Sequence, residues 1–323
     1  MEIQFTKERK VVEQKTKILV AVDGSEESMA VVQYVCQTAP VNGSEIVIFT
    51  VMSKVPEVFW DLGKDPLWLP KIDEVRLWEQ QQQERIGSFM AEAVAQFKTA
   101  GFPIGRVVTR IGAQQKGVAR DIVAEARLGY DILAIGRGKS NAVHAMILGG
   151  VAGKLVNTRT APSLWLVGRA SHSKKVLVAL DSSENSLVAV KHAGRVLSRN
   201  KNSLTLFHAV RGISTSGVDM VDCFPESYRK QLLDDAKQTI QPILQKAEEI
   251  LNEMDISSER ITTKVVTGVR SRAEAVLDEA EKGGFGTILV GRKGVSEVAD
   301  FVMGRVTNKL IQLTNDQALC IVE

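Results

Sequence analysis

Apolar residues along this chain fall into short continuous runs that alternate with longer amphipathic segments. The run Ile18–Val22 contains no polar residue, which is typical of a strand buried on both faces of a sheet. Further on, Val118, Ile122 and Ala126 recur at a spacing of four residues, which predicts a helix with one buried face. Strands and helices that alternate in this way indicate a parallel sheet covered by helices.

The same patterns predict five strands and four helices in each half of the chain. In the first half the strands are 18–22, 45–51, 106–111, 131–135 and 163–167, and the helices are 26–38, 72–99, 118–126 and 145–158. In the second half the strands are 175–180, 203–209, 261–267, 287–290 and 318–322, and the helices are 184–198, 226–253, 271–282 and 301–314. We therefore expect an α/β protein of two tandem, doubly wound domains, each a five-stranded parallel sheet flanked by helices.

The two halves are copies of one domain. Residues 17–28 read KILVAVDGSEES and residues 175–186 read KVLVALDSSENS, and eight of these twelve positions are identical. DILAIGRGK, from residue 131, is echoed by TILVGRKG, from residue 287. Solenoid repeats are only about 20–50 residues long, so copies this far apart indicate a duplicated domain. The polar stretch near 168–174 separates the halves, which predicts domains at 1–168 and 174–323.

Composition and charge exclude several classes of protein. Lys and Arg total 41 against 38 for Asp and Glu, and this net charge of +3 does not predict nucleic acid or anionic membrane as a partner. The three cysteines form no CxxC pair, which suits a reducing compartment. There is no secretory signal at the start and no run of 18 apolar residues. We expect a cytoplasmic protein.

Candidate chemistry lies where the predicted strands end. Open parallel sheets bind ligands at the carboxyl ends of their strands, at the point where the strand order reverses. Asp23 and Asp181 follow the two first strands, and Gly136 and Gly291 follow the two fourth strands. A carboxylate there can hold a ribose hydroxyl, and glycines let backbone N–H groups approach a phosphate. The alternative is that the aspartates only turn the chain into the next helix.

The glycine-rich segments give a sharper signal. Residues 291–305 read GRKGVSEVADFVMGR, in which Gly291, Gly294 and Gly304 are separated by two and nine residues. Residues 136–150 read GRGKSNAVHAMILGG, where Gly149 keeps the spacing but Lys139 stands in place of the second glycine. Both segments are basic and so favour an anion, through Arg137, Lys139, Arg292, Lys293 and Arg305. The alternative is a glycine-rich turn with solvated charges.

On these motifs, over nearly its whole length, the chain resembles the universal stress protein family and in particular its tandem members. The resemblance implies an adenine nucleotide alpha hydrolase-like fold and the ATP-binding pattern G-2x-G-9x-G-(Ser/Thr), with an Asp after the first strand contacting the nucleoside. The predicted binding residues are Asp23, Gly136, Arg137, Gly149 and Gly150 in the first half, and Asp181, Gly291, Arg292, Gly294, Gly304 and Arg305 in the second.

Both halves depart from the family pattern at the Ser/Thr position, which is Gly150 in one and Arg305 in the other. Arg305 either replaces the hydroxyl with a bidentate phosphate contact or fills the pocket with its bulk. The spacing favours the second half. We expect a regulatory stress-response protein that binds ATP or another adenine nucleotide, with Mg²⁺ as an accompanying ion. The alternative is an interaction or scaffold protein whose sites have degenerated.

No catalytic residue is predicted, because no nucleophile–base pair can be identified and the four histidines lack metal-ligand spacing. Any enzymatic activity is therefore expected to be at most a weak ATPase.

Two segments that follow the second strands, 52–71 and 211–226, are either lids over the binding edge or apolar loops packed on the core.

The last strands of the two halves, Leu164–Val167 and Leu319–Val322, are apolar and lie at a sheet edge that needs cover. In the family this strand pairs across a dimer interface. We therefore expect the two halves to form a pseudo-dimer within one chain, and a homodimer of chains is a further expectation.

Overall fold

The computed structural model describes residues 15–53, 69–138, 148–158, 163–169, 172–184, 186–197, 202–212, 225–294 and 303–323. The strands in these ranges are β1 Thr16–Ala21, β2 Ser44–Met52, β3 Val107–Ala113, β4 Ile132–Gly136, β5 Ser163–Val167, β6 Lys175–Ala179, β7 Ser203–Arg211, β8 Ile261–Val269, β9 Thr287–Gly291 and β10 Ala318–Val322. The α-helices are α1 Glu26–Thr38, α2 Leu69–Thr99, α3 Val118–Ala126, α4 Gly150–Val156, α5 Ser186–Leu197, α6 Glu226–Glu253, α7 Arg272–Lys282 and α8 Arg305–Leu313.

All ten strands belong to one sheet, in the order β3-β2-β1-β4-β5-β10-β9-β6-β7-β8. Within each half the strands are parallel, and the first strand of the half pairs with both the second and the fourth. The strand order therefore reverses between β1 and β4 and again between β6 and β9. The predicted α/β class and its two doubly wound units are confirmed.

Most predicted elements agree with the structure, and the main differences lie at two helix starts. The helix predicted at 145–158 is α4, which begins only after Gly149, and the helix predicted at 301–314 is α8, which begins only after Gly304. Both glycines adopt extended backbone angles as N-caps. Residues 148–149 and 303–304 were predicted to be helical but precede α4 and α8, because the apolar periodicity continues upstream of each glycine. The remaining upstream parts of these predictions, 145–147 and 301–302, lie outside the described residues.

The core consists of two apolar layers, one on each face of the sheet. Alternation along β1 shows the division, since Ile18 and Val20 point to one layer and Leu19 and Ala21 to the other. The first layer packs under α1, α2, α5 and α6, and the second under α3, α4, α7 and α8. Each layer contains residues of both halves, so the hydrophobic core is continuous across the molecule.

The halves meet where β5 pairs antiparallel with β10, with Trp165 opposite Cys320 and Leu164 opposite Ile321. Every residue of both strands is buried. The predicted pseudo-dimer within one chain is therefore present. Pairing satisfies the backbone groups of two apolar edges that would otherwise face solvent.

Buried polar side chains connect the halves beside this seam. Trp165 Nε1 donates a hydrogen bond to His192 Nε2 across 3.3 Å. Because that nitrogen accepts, the proton of neutral His192 is on Nδ1, which lies 3.1 Å from Ser163 Oγ. From the first half, the hydroxyl of Tyr34 in α1 lies 2.9 Å from Thr287 Oγ1 in β9 of the second half. Each half thus inserts a polar side chain of its first helix among the strands of the other.

His192 makes the stability of the seam sensitive to acid. Burial, assisted by the charge of Arg195, lowers the pKa of His192 from 6.5 to about 3. Between these values the unfolded chain binds a proton that the folded chain does not, so the free energy of unfolding falls as the pH drops below about 6.5. We expect a loss of about 2 kcal/mol between pH 7 and pH 5 from this residue, measured by urea unfolding at both values.

The variant His192→Gln should lose this part of the pH dependence, because its amide does not titrate. His172→Gln, which changes an exposed histidine, is the control and should keep the wild-type pH dependence. An equal loss of stability in acid for the wild type and His192→Gln would contradict the assignment.

Candidate functional site

The predicted aspartates and glycines lie at the carboxyl ends of the strands, beside the two points where the strand order reverses. Asp23 follows β1 and Asp181 follows β6 by two residues each, while Gly136 and Gly291 are the last residues of β4 and β9. Since β1 pairs with β4 and β6 pairs with β9, each aspartate shares its edge of the sheet with a glycine-rich segment. We call residues 136–150 and 291–305 the first and second glycine loops.

In the second half, Asp181 lies directly against the glycine loop. Its Oδ1 accepts hydrogen bonds from the backbone N–H of Ser183, at 3.0 Å, and from the Ser183 hydroxyl. Its Oδ2 faces Gly294 so closely that a methyl group on Gly294 would overlap this oxygen. A larger residue at this position would therefore have to displace the Asp181 carboxylate.

In the first half, Asp23 holds the start of α1. Its Oδ1 accepts from the Ser25 N–H at 3.0 Å and from the Ser28 hydroxyl at 2.6 Å. Burial opposes ionisation, but these hydrogen bonds outweigh it and hold the pKa of Asp23 below its ordinary value. Both aspartates therefore stabilise the turn into the following helix, which is one of the two roles that the sequence left open.

The two glycine loops are closed by equivalent backbone hydrogen bonds. Gly149 N–H donates to Arg137 O at 2.9 Å in the first loop, and Gly304 N–H donates to Arg292 O at 2.8 Å in the second. These bonds return the chain to the end of the fourth strand just before the following helix starts. Each loop thus places a helix N-terminus beside the sheet edge that carries the aspartate.

Gly138 is a loop residue that the predicted site set omitted. It has a left-handed backbone with φ of +83°, and a methyl group on it would lie 3.0 Å from Gly149 Cα. The first loop therefore contains a glycine–glycine contact, whereas in the second loop Gly294 contacts Asp181. In the sequence, Gly138 stands one residue before Lys139, which occupies the place of the second motif glycine, and this was the available signal.

Arg137 and Arg292 direct their guanidinium groups across the seam. Arg137 Nη2 donates to the carbonyl of Ile311 at 2.5 Å, and Arg292 Nη1 donates to the carbonyl of Val156 at 3.2 Å. Arg292 also forms an ion pair with Glu323 at 3.0 Å and is almost fully buried. Burial lowers the pKa of Arg137 to about 10. These contacts assign both side chains to the junction of the halves.

The start of α8 offers backbone donors to a ligand. Arg305 is its first residue and is exposed, so its side chain does not fill the interior of the loop. Gly304 provides no side-chain cap, which leaves the first N–H groups of the helix without a side-chain acceptor among the described residues. The hydroxyl of Thr307, two residues after Arg305, donates a hydrogen bond to the carbonyl oxygen of Gly291 at 2.8 Å. In the first half, Gly150 is the first residue of the shorter helix α4.

His208 lies within β7, near enough to Asp181 for the two charges to interact. Its Nδ1 is 2.8 Å from the carbonyl oxygen of Leu180, which can only accept, so Nδ1 carries the proton and Nε2 is an acceptor. Burial lowers the pKa of His208 below its ordinary value, with a smaller effect in the same direction from Arg272. The Leu180 hydrogen bond and the charge of Asp181 oppose this shift. The lowered pKa favours the neutral imidazole, in which Nε2 is an acceptor.

Several predictions lie outside the described residues. These are Lys139 and most of the segments 52–71 and 211–226. Within the described ranges, no group of three or more His, Cys, Asp or Glu side chains is arranged to hold a metal ion. No helix in the same part of the chain is long and apolar enough to cross a membrane.

Comparison with known proteins shows the family. The model of the universal stress protein family matches the chain twice, at residues 15–164 and 172–320. The universal stress protein YxiE of Bacillus subtilis is 26% identical over 149 residues, which is 46% of this chain and 97% of that protein.

Among solved structures, a universal stress protein from Archaeoglobus fulgidus has a TM-score of 0.61 at 17% identity, covering 96% of this chain and 99% of that one. A functionally unknown protein from Pseudomonas aeruginosa has a TM-score of 0.53 at 14% identity, covering 96% and 93%. At this identity the structural likeness shows the fold alone. The two family matches show that the chain belongs to the universal stress protein family and carries two of its domains in tandem.

Proposed function

We propose that this chain is a cytoplasmic stress-response protein that binds an adenine nucleotide at the carboxyl edge of its second half, as a regulatory ligand rather than a substrate. The observation that carries the proposal is the contact between Asp181 and Gly294 beside the start of α8. A carboxylate, a bare stretch of main chain and a helix N-terminus meet at one point. Together they suit a ligand with hydroxyl groups at one end and phosphates at the other.

The phosphate end of the ligand is assigned to the second glycine loop. The first turn of α8 has N–H groups with no side-chain cap among the described residues, and its dipole favours an anion. Arg305 is exposed at the first position of this helix. Its guanidinium can form a bidentate contact with a phosphate that approaches from solvent. Arg137 and Arg292, which contact the other half, are not part of the proposed phosphate site.

The sugar end of the ligand is assigned to Asp181. Its Oδ1 is held by Ser183, so the side chain is fixed in orientation before a ligand arrives. His208 Nε2 adds a neutral acceptor near the same edge. A ribose presents hydroxyl donors, which suit two neighbouring acceptors. The adenine base rests on the family resemblance, and Mg²⁺ would reach the site with the phosphates.

The second half is preferred because, among the residues that the structure describes, carboxylate and glycine loop contact each other there and not in the first half. In the first loop, Gly138 packs on Gly149 instead. The shorter helix α4 also provides a weaker dipole than α8.

A second candidate function is an interaction protein that keeps the fold without a nucleotide. Two observations favour it. The Ser/Thr position of the family motif holds Gly150 in one half and Arg305 in the other. In addition, Arg137 and Arg292 contact the other half at the junction. Calorimetric titration with ATP, ADP and AMP, with and without Mg²⁺, separates the two functions. Heat of binding with at least one nucleotide supports the regulatory site. No heat of binding with any of the three refutes the regulatory site and supports the interaction protein.

The matched variants Asp181→Asn and Asp23→Asn locate the site. Asparagine keeps a side-chain oxygen that can accept the hydrogen bonds from the neighbouring serines, so both variants should fold. A hydrogen bond to a charged group is worth about 1.5–3 kcal/mol, so Asp181→Asn should weaken nucleotide binding roughly tenfold or more. Asp23→Asn should change the affinity little in the same titration. The opposite ranking would place the site in the first half.

The contact between Asp181 and Gly294 is open to a double-mutant cycle. Gly294→Ala places a methyl group on Asp181 Oδ2, so it should destabilise the wild-type chain by about 1 kcal/mol or more. In an Asp181→Ala background the same change should be neutral or slightly stabilising, because the obstruction is gone and alanine restricts the unfolded chain. Urea unfolding of the four proteins measures both effects, and equal costs in the two backgrounds would contradict the contact.

A further inference from the structure

Arg292 connects the second glycine loop to a helix of the first half. It directly follows Gly291, and its side chain is only 3% exposed. Its Nη1 donates to the carbonyl of Val156, the last residue of α4. The terminal carbonyls of a helix lack partners within the helix and favour a cation, so this contact caps α4 at its C-terminal end.

Arg137 makes the reciprocal connection. It directly follows Gly136 in the first loop, and its Nη2 donates to the carbonyl of Ile311 in the last turn of α8. The two contacts are equivalent, because Arg137 and Arg292 are 155 positions apart and Val156 and Ile311 are also 155 positions apart. The duplication has therefore preserved an exchange of arginines between the halves, although the residues of the loops themselves have diverged.

The capped helices begin at the opposite glycine loops. Helix α4 has Gly149 of the first loop as its N-cap, and α8 has Gly304 of the second loop. These helices are about 10–14 Å long at 1.5 Å per residue. The second loop thus reaches the first through Arg292 and α4, and the first reaches the second through Arg137 and α8. The two arginine hydrogen bonds and the two short helices therefore link the glycine loops in both directions.

We propose that Arg137 and Arg292 are positioning residues that couple the two glycine loops, so that a change in one loop alters the geometry of the other. For ligand affinity this rests on the proposed function, whereas the coupling between the loops is a property of the chain without ligand. A helix of two turns moves as a unit, so a shift at its N-cap displaces the carbonyl that the opposite arginine holds. Because a coupling free energy is reciprocal, a change in either loop should affect the other loop by the same free energy.

Hydrogen–deuterium exchange of the full-length chain tests the coupling. Arg137→Gln removes the cap from Ile311, and we expect exchange to become at least about fivefold faster at the bonded amides of Gly304 and Asn308. The Gly304 hydrogen bond closes the second loop and the Asn308 hydrogen bond closes the first turn of α8, at the opposite end of the helix from its last turn. Faster exchange confined to the last turn of α8 would reduce Arg137 to a local cap and overturn the proposal.

Arg195→Gln is the matched control. Arg195 also crosses between the halves, with Nη1 3.8 Å from Asp131 Oδ1, but at the amino-terminal edge of the sheet and away from both loops. This variant should leave Gly304 and Asn308 at their wild-type exchange rates. If it accelerates them as much as Arg137→Gln does, the effect is general loosening of the junction, and the coupling is refuted.

A titration with ATP adds the functional readout. In Arg137→Gln, affinity at the second-half site should change by about fivefold or more relative to Arg195→Gln, although Arg137 belongs to the other loop. An unchanged affinity, with wild-type binding intact, would overturn the proposed effect of loop coupling on ligand affinity. Absence of binding to the wild-type chain would instead refute the proposed nucleotide site, and the exchange experiment would still decide whether the loops are coupled.

Discussion

The pairing of β5 with β10 is the interaction on which the rest of the molecule depends. Each half alone would end in a mainly apolar strand with one row of unpaired backbone groups, an arrangement prone to wrong association. Joined antiparallel, the two strands merge two five-stranded sheets into one and make both apolar layers continuous. The exchange of Tyr34 and His192 and the two arginine caps all form only because this seam brings the halves together.

The fold was predictable because its determinants are local. Continuous apolar runs locate the buried strands, and duplication shows twice that the chain repeats one unit. The helix starts after Gly149 and Gly304 were less accessible, since neither glycine carries the polar side chain that usually marks an N-cap. Where apolar periodicity continues past such a residue, only the three-dimensional closure of the loop determines where the helix begins.

The candidate site was predictable in position but not in the partners of each side chain. Spacing placed aspartates and glycines at the correct edge of the sheet. A basic residue in a glycine loop, however, satisfies either a phosphate or a row of helix carbonyls, since a guanidinium group only donates. Arg137 and Arg292 contact carbonyls that are distant in sequence, and no local pattern predicts such a pair. The hydrogen bonds of Asp23 to serines likewise became visible only in the folded chain.

The two glycine loops have diverged, since Gly138 packs on Gly149 whereas Gly294 packs on Asp181. This divergence bears on how the duplicated chain can evolve. In a dimer of identical subunits, every mutation appears in both copies at once, so neither site can drift while the other is maintained. Fusion into a single polypeptide removes this restriction, because each copy then accumulates its own substitutions. One loop is free to specialise or decay under relaxed selection while its sister retains an ancestral arrangement.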